Sequence, residues 1–112
     1  MSRGVGGWAK VIFEDDILIK YEYGSYDWNQ PEYYNDEKIR DGSITLYKQN
    51  IPEKLRENLA EFLKSGGIEI INCGNCCHTI ESYDFIALQL ICKIARKYDE
   101  KHEFPDYIGL HT

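Results

Sequence analysis

Nowhere does this chain approach the ~18 consecutive apolar residues of a membrane-spanning helix. Its opening residues, Met1-Ser2-Arg3-Gly4-Val5-Gly6-Gly7, carry no apolar stretch of the signal-peptide kind. Together these absences lead to the expectation of a cytoplasmic protein, with its four cysteines held as thiols rather than paired in a disulfide framework. A phosphate-binding loop is also excluded, because no strand precedes Gly4, Gly6 and Gly7 and no Gly-Lys-Ser/Thr follows them. The glycines read instead as a flexible start. Basic residues are scarce where acids concentrate: from Glu14 to Asp41 only Lys20, Lys38 and Arg40 stand against nine carboxylates, so this segment carries the whole net charge of −6.

What is present fits one domain over residues 1–112. Alternation begins at Trp8, with Val11 and Phe13 on one face. After a turn at Asp15-Asp16, it resumes with Ile17, Ile19, Tyr21 and Tyr23 on one face, which predicts a β-hairpin. Gly24 to Asp41 is rich in turn formers and reads as a long connection. Ser43 to Lys48 reads as a third strand. Asn50, Pro52 and Glu53 suit a helix start, with Ile51, Leu55, Leu59, Phe62 and Leu63 on one face and Gly66-Gly67 as the stop. Ile68 to Asn72 follows as a short strand, apolar enough for the sheet interior. Ser82 is the expected N-cap of the last helix, whose stripe runs Phe85, Leu88, Ile91, Cys92, Ala95 and Tyr98 and is widened by Ile86, Leu90 and Ile94. The tail from Phe104 has enough apolar residues to dock. The predicted fold is α+β: about four mostly antiparallel strands in the order β-β-β-α-β-α, with both helices on one face.

Three short motifs, Val11-Ile12-Phe13-Glu14-Asp15 with Tyr21-Glu22-Tyr23, Asp41-Gly42-Ser43-Ile44-Thr45-Leu46, and Phe104-Pro105-Asp106 after the final helix, cover about half of the chain. On these the sequence resembles small bacterial α+β proteins of low-GC Gram-positive type with no assigned function. The resemblance implies fold and origin only, and the Cys73 to His78 loop lies outside it.

Two stretches compete as the functional site. Cys73-Gly74-Asn75-Cys76-Cys77-His78 contains a Cys-x-x-Cys half-site, and zinc is the ion such spacing suits, with Cys73, Cys76 and His78 as candidate ligands. A second Cys-x-x-Cys or His pair at the usual spacing is lacking. Cys76 and Cys77 are adjacent and so awkward for one ion, and Cys77 interrupts the haem-attachment pattern. The element order is also wrong for a thioredoxin. A catalytic thiol at Cys76 or Cys77, with His78 as base, is a further reading of the loop. The plainer reading is a packed hinge between the last strand and the main helix.

The other stretch is acidic and aromatic, with Tyr26, Asp27, Trp28, Glu32, Tyr33, Tyr34, Asp36 and Glu37 as candidate partner-binding residues. Such a lobe repels nucleic-acid phosphates and steers a basic protein partner, with tyrosine supplying rigid contact area. The expectation is a non-enzymatic interaction module without a resident cofactor. An immunity protein or antagonist would be of this kind, its contact segment lying at the end of the sheet away from the cysteine loop.

Overall fold

The computed structural model describes residues 4–76 and 78–111. Five strands form one antiparallel sheet: β1 (Val5–Glu14), β2 (Leu18–Asp27), β3 (Gly42–Tyr47), β4 (Ile68–Ile71) and β7 (Tyr107–His111), in the spatial order β4-β3-β2-β1-β7. A two-stranded ribbon, β5 (Thr79–Ile80) and β6 (Tyr83–Asp84), precedes the long helix. The helices are α1 (Leu59–Lys64) and α2 (Phe85–Lys101).

The α+β class, the antiparallel sheet and the two helices agree with the sequence pattern. The docked tail supplies the fifth strand, for Ile108 pairs with Ala9 and completes the sheet beside β1. No helix among the described residues is long and apolar enough to cross a membrane.

One face of the sheet carries the core. Ala9, Ile19, Tyr21, Tyr23, Ile44, Leu46, Ile68 and Ile108 meet Phe62 from α1 and Ile86, Leu90, Ile91 and Ile94 from α2 in one cluster. The buried stripe of α2 is centred on the predicted widening flank of Ile86, Leu90 and Ile94. Ile86, Ala87, Leu90, Ile91, Ile94 and Ala95 are buried, while Phe85, Leu88, Cys92 and Tyr98 are only half-buried. A periodic pattern shows that a face exists; contact with the sheet decides which wide flank is innermost.

Several local expectations are corrected. The glycine start is strand: Gly6 and Gly7 are buried in β1, where a Cβ on Gly6 would strike the Leu110 carbonyl and the Tyr26 ring. A register shift between Val11 and Phe13 turns Phe13 outward, and it and Ile17 are exposed at the hairpin tip. β4 is an edge strand rather than an interior one.

The first helix is the largest departure. Asn50 has φ 64° and cannot act as an N-cap, a position that needs extended backbone. Residues 51–55 are not helical, and a 3₁₀ turn at Arg56–Asn58 leads into α1. The capping role is taken from across the fold. Asp99 of α2 accepts hydrogen bonds from the backbone N–H groups of Leu55 (2.8 Å) and Arg56 (3.1 Å). Asp99→Ala should cost about 1–2 kcal/mol, the usual worth of a lost cap, and lower Tm by several degrees. Thermal melts followed by circular dichroism measure this, and Asp99→Asn, which keeps one acceptor, should lose less.

The start of α2 also differs. Asp84, not Ser82, is the N-cap, accepting from the Ile86 N–H at 2.9 Å. Ser82 instead sits with Glu81 in the two-residue turn of the β5–β6 ribbon, both at positive φ (76° and 52°). That is the backbone of a type I′ turn.

Candidate functional site

Strand β2 runs three residues further than the glycine at 24 suggests, and this extension builds the site. Tyr26 and Asp27 belong to the strand and are buried, 2% and 3% exposed, whereas Trp28 just beyond it is 59% exposed. Alternation puts Tyr26 on the sheet face opposite the helices, where Gly6 pairs with it and leaves room for its ring. Trp8, two residues along β1, lies against Tyr26 with ring centroids 5.1 Å apart. On the other side Trp28 stacks on Tyr26 at 4.8 Å and 29°. The result is an aromatic stack, Trp8–Tyr26–Trp28, whose outer member stands in solvent. His111 of β7 closes it: its Nδ1 lies 2.8 Å from the Tyr26 hydroxyl. The Lys38 ammonium sits 5.9 Å from the Trp8 ring centroid.

Asp27 sets the direction of Trp28. One carboxylate oxygen accepts from the Asn29 N–H (2.9 Å) and the other from the Gln30 amide (3.0 Å), while the Trp28 N–H donates to the Gly4 carbonyl at 2.7 Å. Burial pushes the Asp27 carboxyl upward, but the hydrogen bonds from Asn29 and Gln30, with His78 nearby, outweigh it and hold the group below the usual carboxylate range. A folded-state pKa below the unfolded one gives stabilisation that is complete above the unfolded value of about 3.9 and lost as pH falls through the folded value. Asp27→Asn should therefore flatten the acid limb of stability. Urea midpoints measured between roughly pH 2 and 6 should converge for the two proteins at the acid end.

Segment 28–41 is ordered by side-chain amides. Asn35, at φ 52°, donates to the carbonyls of Ser25 (2.9 Å) and Ile39 (3.1 Å) and accepts from the Ile39 N–H (2.9 Å). The segment's exposed surface carries Glu32, Asp36, Glu37 and Tyr34, with Tyr33 half-buried in the Pro31–Tyr33 turn. The acidic lobe is narrower than its composition suggests. Glu14 pairs with Lys48, Glu22 with Arg40, and Asp41 accepts from the Gly74 N–H at 2.9 Å.

The cysteine loop proves to be the clamp of this segment rather than a separate site at the far end of the sheet. The Asn75 side chain donates to the carbonyls of Ser25 (2.7 Å) and Tyr33 (3.0 Å). Cys73 is buried at 4% exposure. Its N–H donates to the Tyr23 hydroxyl (2.9 Å), and its sulfur lies 3.3 Å from Ser25 Oγ and 3.4 Å from Asp84 Oδ2. The Tyr23 hydroxyl donates in turn to Asp84 Oδ2 at 2.8 Å. Burial pushes the Cys73 thiol up, and the Asp84 carboxylate adds to this against the hydrogen bond of Ser25. Both effects favour the neutral thiol over the thiolate. The Cys76 sulfur lies 3.6 Å from the His78 carbonyl, and the His78 side chain is exposed. Cys77 lies outside the described residues. Among the described residues no three His, Cys, Asp or Glu side chains gather as a metal-binding group.

Of the residues singled out from sequence, the fold brings Tyr26, Asp27 and Trp28 together, ties Tyr33 to the cysteine loop through its carbonyl, and leaves Glu32, Tyr34, Asp36 and Glu37 outward. Tyr26 and Asp27 support Trp28 and are too buried to make contacts of their own. Trp8 and His111 were missed because only the strand register places them beside Tyr26. The alternation of Tyr26 with Trp28 was the one local hint.

No family model, curated protein or solved structure matches the chain.

Proposed function

We propose that this protein is a non-enzymatic interaction module that captures a basic protein partner through Trp28, Tyr33 and Tyr34 with Glu32, Asp36 and Glu37. Immunity proteins and antagonists work in this manner. The observation that carries the proposal is the exposed Trp28 face, held by its stack on buried Tyr26 at the head of the acidic segment. A tryptophan ring with an immobile back offers contact area at little entropic cost, which is what a binding hot spot requires. Its open face suits a guanidinium or ammonium, and the carboxylates steer such a partner toward it.

The test uses arginine-rich and lysine-rich peptides of equal charge as probes, followed by the basic protein retained from a native lysate. Arginine peptides should bind more tightly, because the guanidinium plane stacks on indole. Trp28→Ala should weaken binding by roughly thirtyfold or more, the scale of a hot-spot aromatic. Joint reversal of Glu32, Asp36 and Glu37 to Lys should mainly slow association and abolish its salt dependence. If partner affinity is indifferent to both changes, the proposal is wrong.

A further inference from the structure

The cysteine loop places two sulfurs of unequal exposure at the ends of a preformed turn. Cys73 and Cys76 are both thiols, the first buried in the core cluster and the second half-buried against it. The Cys76 N–H donates to the Cys73 carbonyl at 3.2 Å, which closes residues 73–76 into one hydrogen-bonded turn. Such a turn brings its first and last Cα atoms within about 7 Å, and a disulfide spans roughly 4.4–6.8 Å. The turn is also fixed from outside. Asp41 accepts from the Gly74 N–H, the Asn75 amide holds the Ser25 and Tyr33 carbonyls, and the Cys73 N–H donates to the Tyr23 hydroxyl. Joining its ends therefore requires little further ordering of the chain, the condition under which an intramolecular reaction outruns an intermolecular one.

A second observation lies behind Cys73. Its S–H is directed at Oδ2 of the buried Asp84, 3.4 Å away. The Cys76 sulfur lies in the exposed part of the loop, 3.6 Å from the His78 carbonyl. Only a thiolate attacks a disulfide, so a buried neutral thiol needs a proton acceptor beside it when it reacts. Cys73 has that acceptor, and Cys76 has the access from solvent that a first encounter requires.

From the closed turn, the unequal exposure and the Cys73–Asp84 contact, we propose that Cys73 and Cys76 form a thiol–disulfide exchange site for low-molecular-weight disulfides. Cys76, as thiolate, attacks one sulfur of the small disulfide. That bond breaks, a mixed disulfide forms at Cys76, and the released thiolate takes up the proton that Cys76 gave to water. Cys73 Sγ then attacks Cys76 Sγ, passing its proton to Asp84 Oδ2 and expelling the second small thiolate, which takes that proton in turn. Two protein thiols are oxidised to one disulfide, and one small disulfide is reduced to two thiols. The product has no S–H at Cys73, so Asp84 loses that donor and the loop loses part of its hold on the core.

The probe is glutathione disulfide, added to the full chain carrying Cys77→Ser and Cys92→Ser, with samples quenched in acid, alkylated and read by mass spectrometry. The chain should lose two hydrogens and retain no glutathionyl group, and a dithiol reductant should restore it. Adding Cys73→Ser should leave one glutathionyl group fixed on Cys76. Adding Cys76→Ser instead should suppress both products, because the probe does not reach buried Cys73. Asp84→Asn keeps an oxygen to cap α2 but accepts no proton. Capture of the first glutathionyl group should then proceed at the parent rate, while its loss slows by about a hundredfold, the usual worth of a positioned base. The cysteine variants leave Asp84 in place, so they test the site even if Asp84→Asn does not fold. No reaction, a glutathionyl group that stays on the intact Cys73–Cys76 pair, ready glutathionylation of Cys73 in the Cys76→Ser chain, or a second step indifferent to folded Asp84→Asn would each overturn the assignment.

Discussion

Asp84→Ala is expected to destabilise the protein by about 2–4 kcal/mol, the loss of a helix cap together with a buried hydroxyl left without its acceptor. Asp84 is 1% exposed and works on both oxygens: Oδ1 caps α2 through the Ile86 N–H, and Oδ2 accepts from the Tyr23 hydroxyl and lies within reach of the Cys73 thiol. Its removal would uncouple three elements at once, namely β2, the cysteine loop and the start of the main helix. Domains of this size are stable by only ~5–15 kcal/mol, so the loss is a large fraction of the whole. Urea denaturation of Asp84→Ala, Tyr23→Phe and the double variant measures it. The double variant should cost clearly less than the two single losses added together, since members of one hydrogen-bond network are not independent. Additive losses would mean that the Tyr23–Asp84 contact contributes nothing beyond the packing of its parts.

Gly24→Ala should cost about 1–3 kcal/mol, as overpacking does, and its local effect should exceed its global one. A Cβ at Gly24 would overlap the backbone carbonyl of Ile39 and crowd Arg40, and neither is the flexible end of a side chain. Segment 28–41 would have to lift from β2, straining the Arg40–Glu22 ion pair and the approach of Lys38 to Trp8. Amide hydrogen exchange should therefore accelerate between residues 28 and 41 while protection in the β1–β2 ladder persists. Partner affinity should fall together with that protection, linking the order of the segment to its proposed role. If exchange in the segment stays at the level of the parent protein, Gly24 is not what lets it lie on the sheet.

The two variants test one design from opposite sides. Asp84 and Cys73 hold the cysteine loop against the core, and Asn75 carries that hold across to Ser25 and Tyr33. Gly24 permits the acidic segment to reach the sheet. Both act on where Trp28 stands, yet neither is a candidate contact residue.

Periodicity and composition made much of the fold legible. The alternation in Ile19, Tyr21 and Tyr23 and in Ile44 and Leu46 marked strands, and all five side chains are in the core. The helical spacing around Leu90 and Ile94 marked α2. The concentration of carboxylates near Trp28 was also plain, because charge and aromatic content are local properties. Other features were not legible, for a common reason. The cap of the first helical stretch comes from Asp99, more than forty residues away, so the nearby Asn50 offered a false signal. Asparagine suits both a helix cap and left-handed backbone, so residue type did not separate the two at Asn50, and Glu81 and Ser82 have positive φ without a residue type that announces it. The register shift after Val11 exposes Phe13 against its hydrophobic pattern.

By itself, then, the sequence determined the class of fold, its main apolar faces and the place of its charge, since each depends on residue type and spacing along the chain. Only the tertiary structure decided that the cysteine loop and the acidic segment are one assembly, joined through Asn75, and that Tyr26 is a buried support while Trp28 is the exposed surface. Hydrogen bonds and ring stacking between residues distant in sequence depend on strand register and chain return. A single residue can set these, and the pattern along the chain does not reveal them.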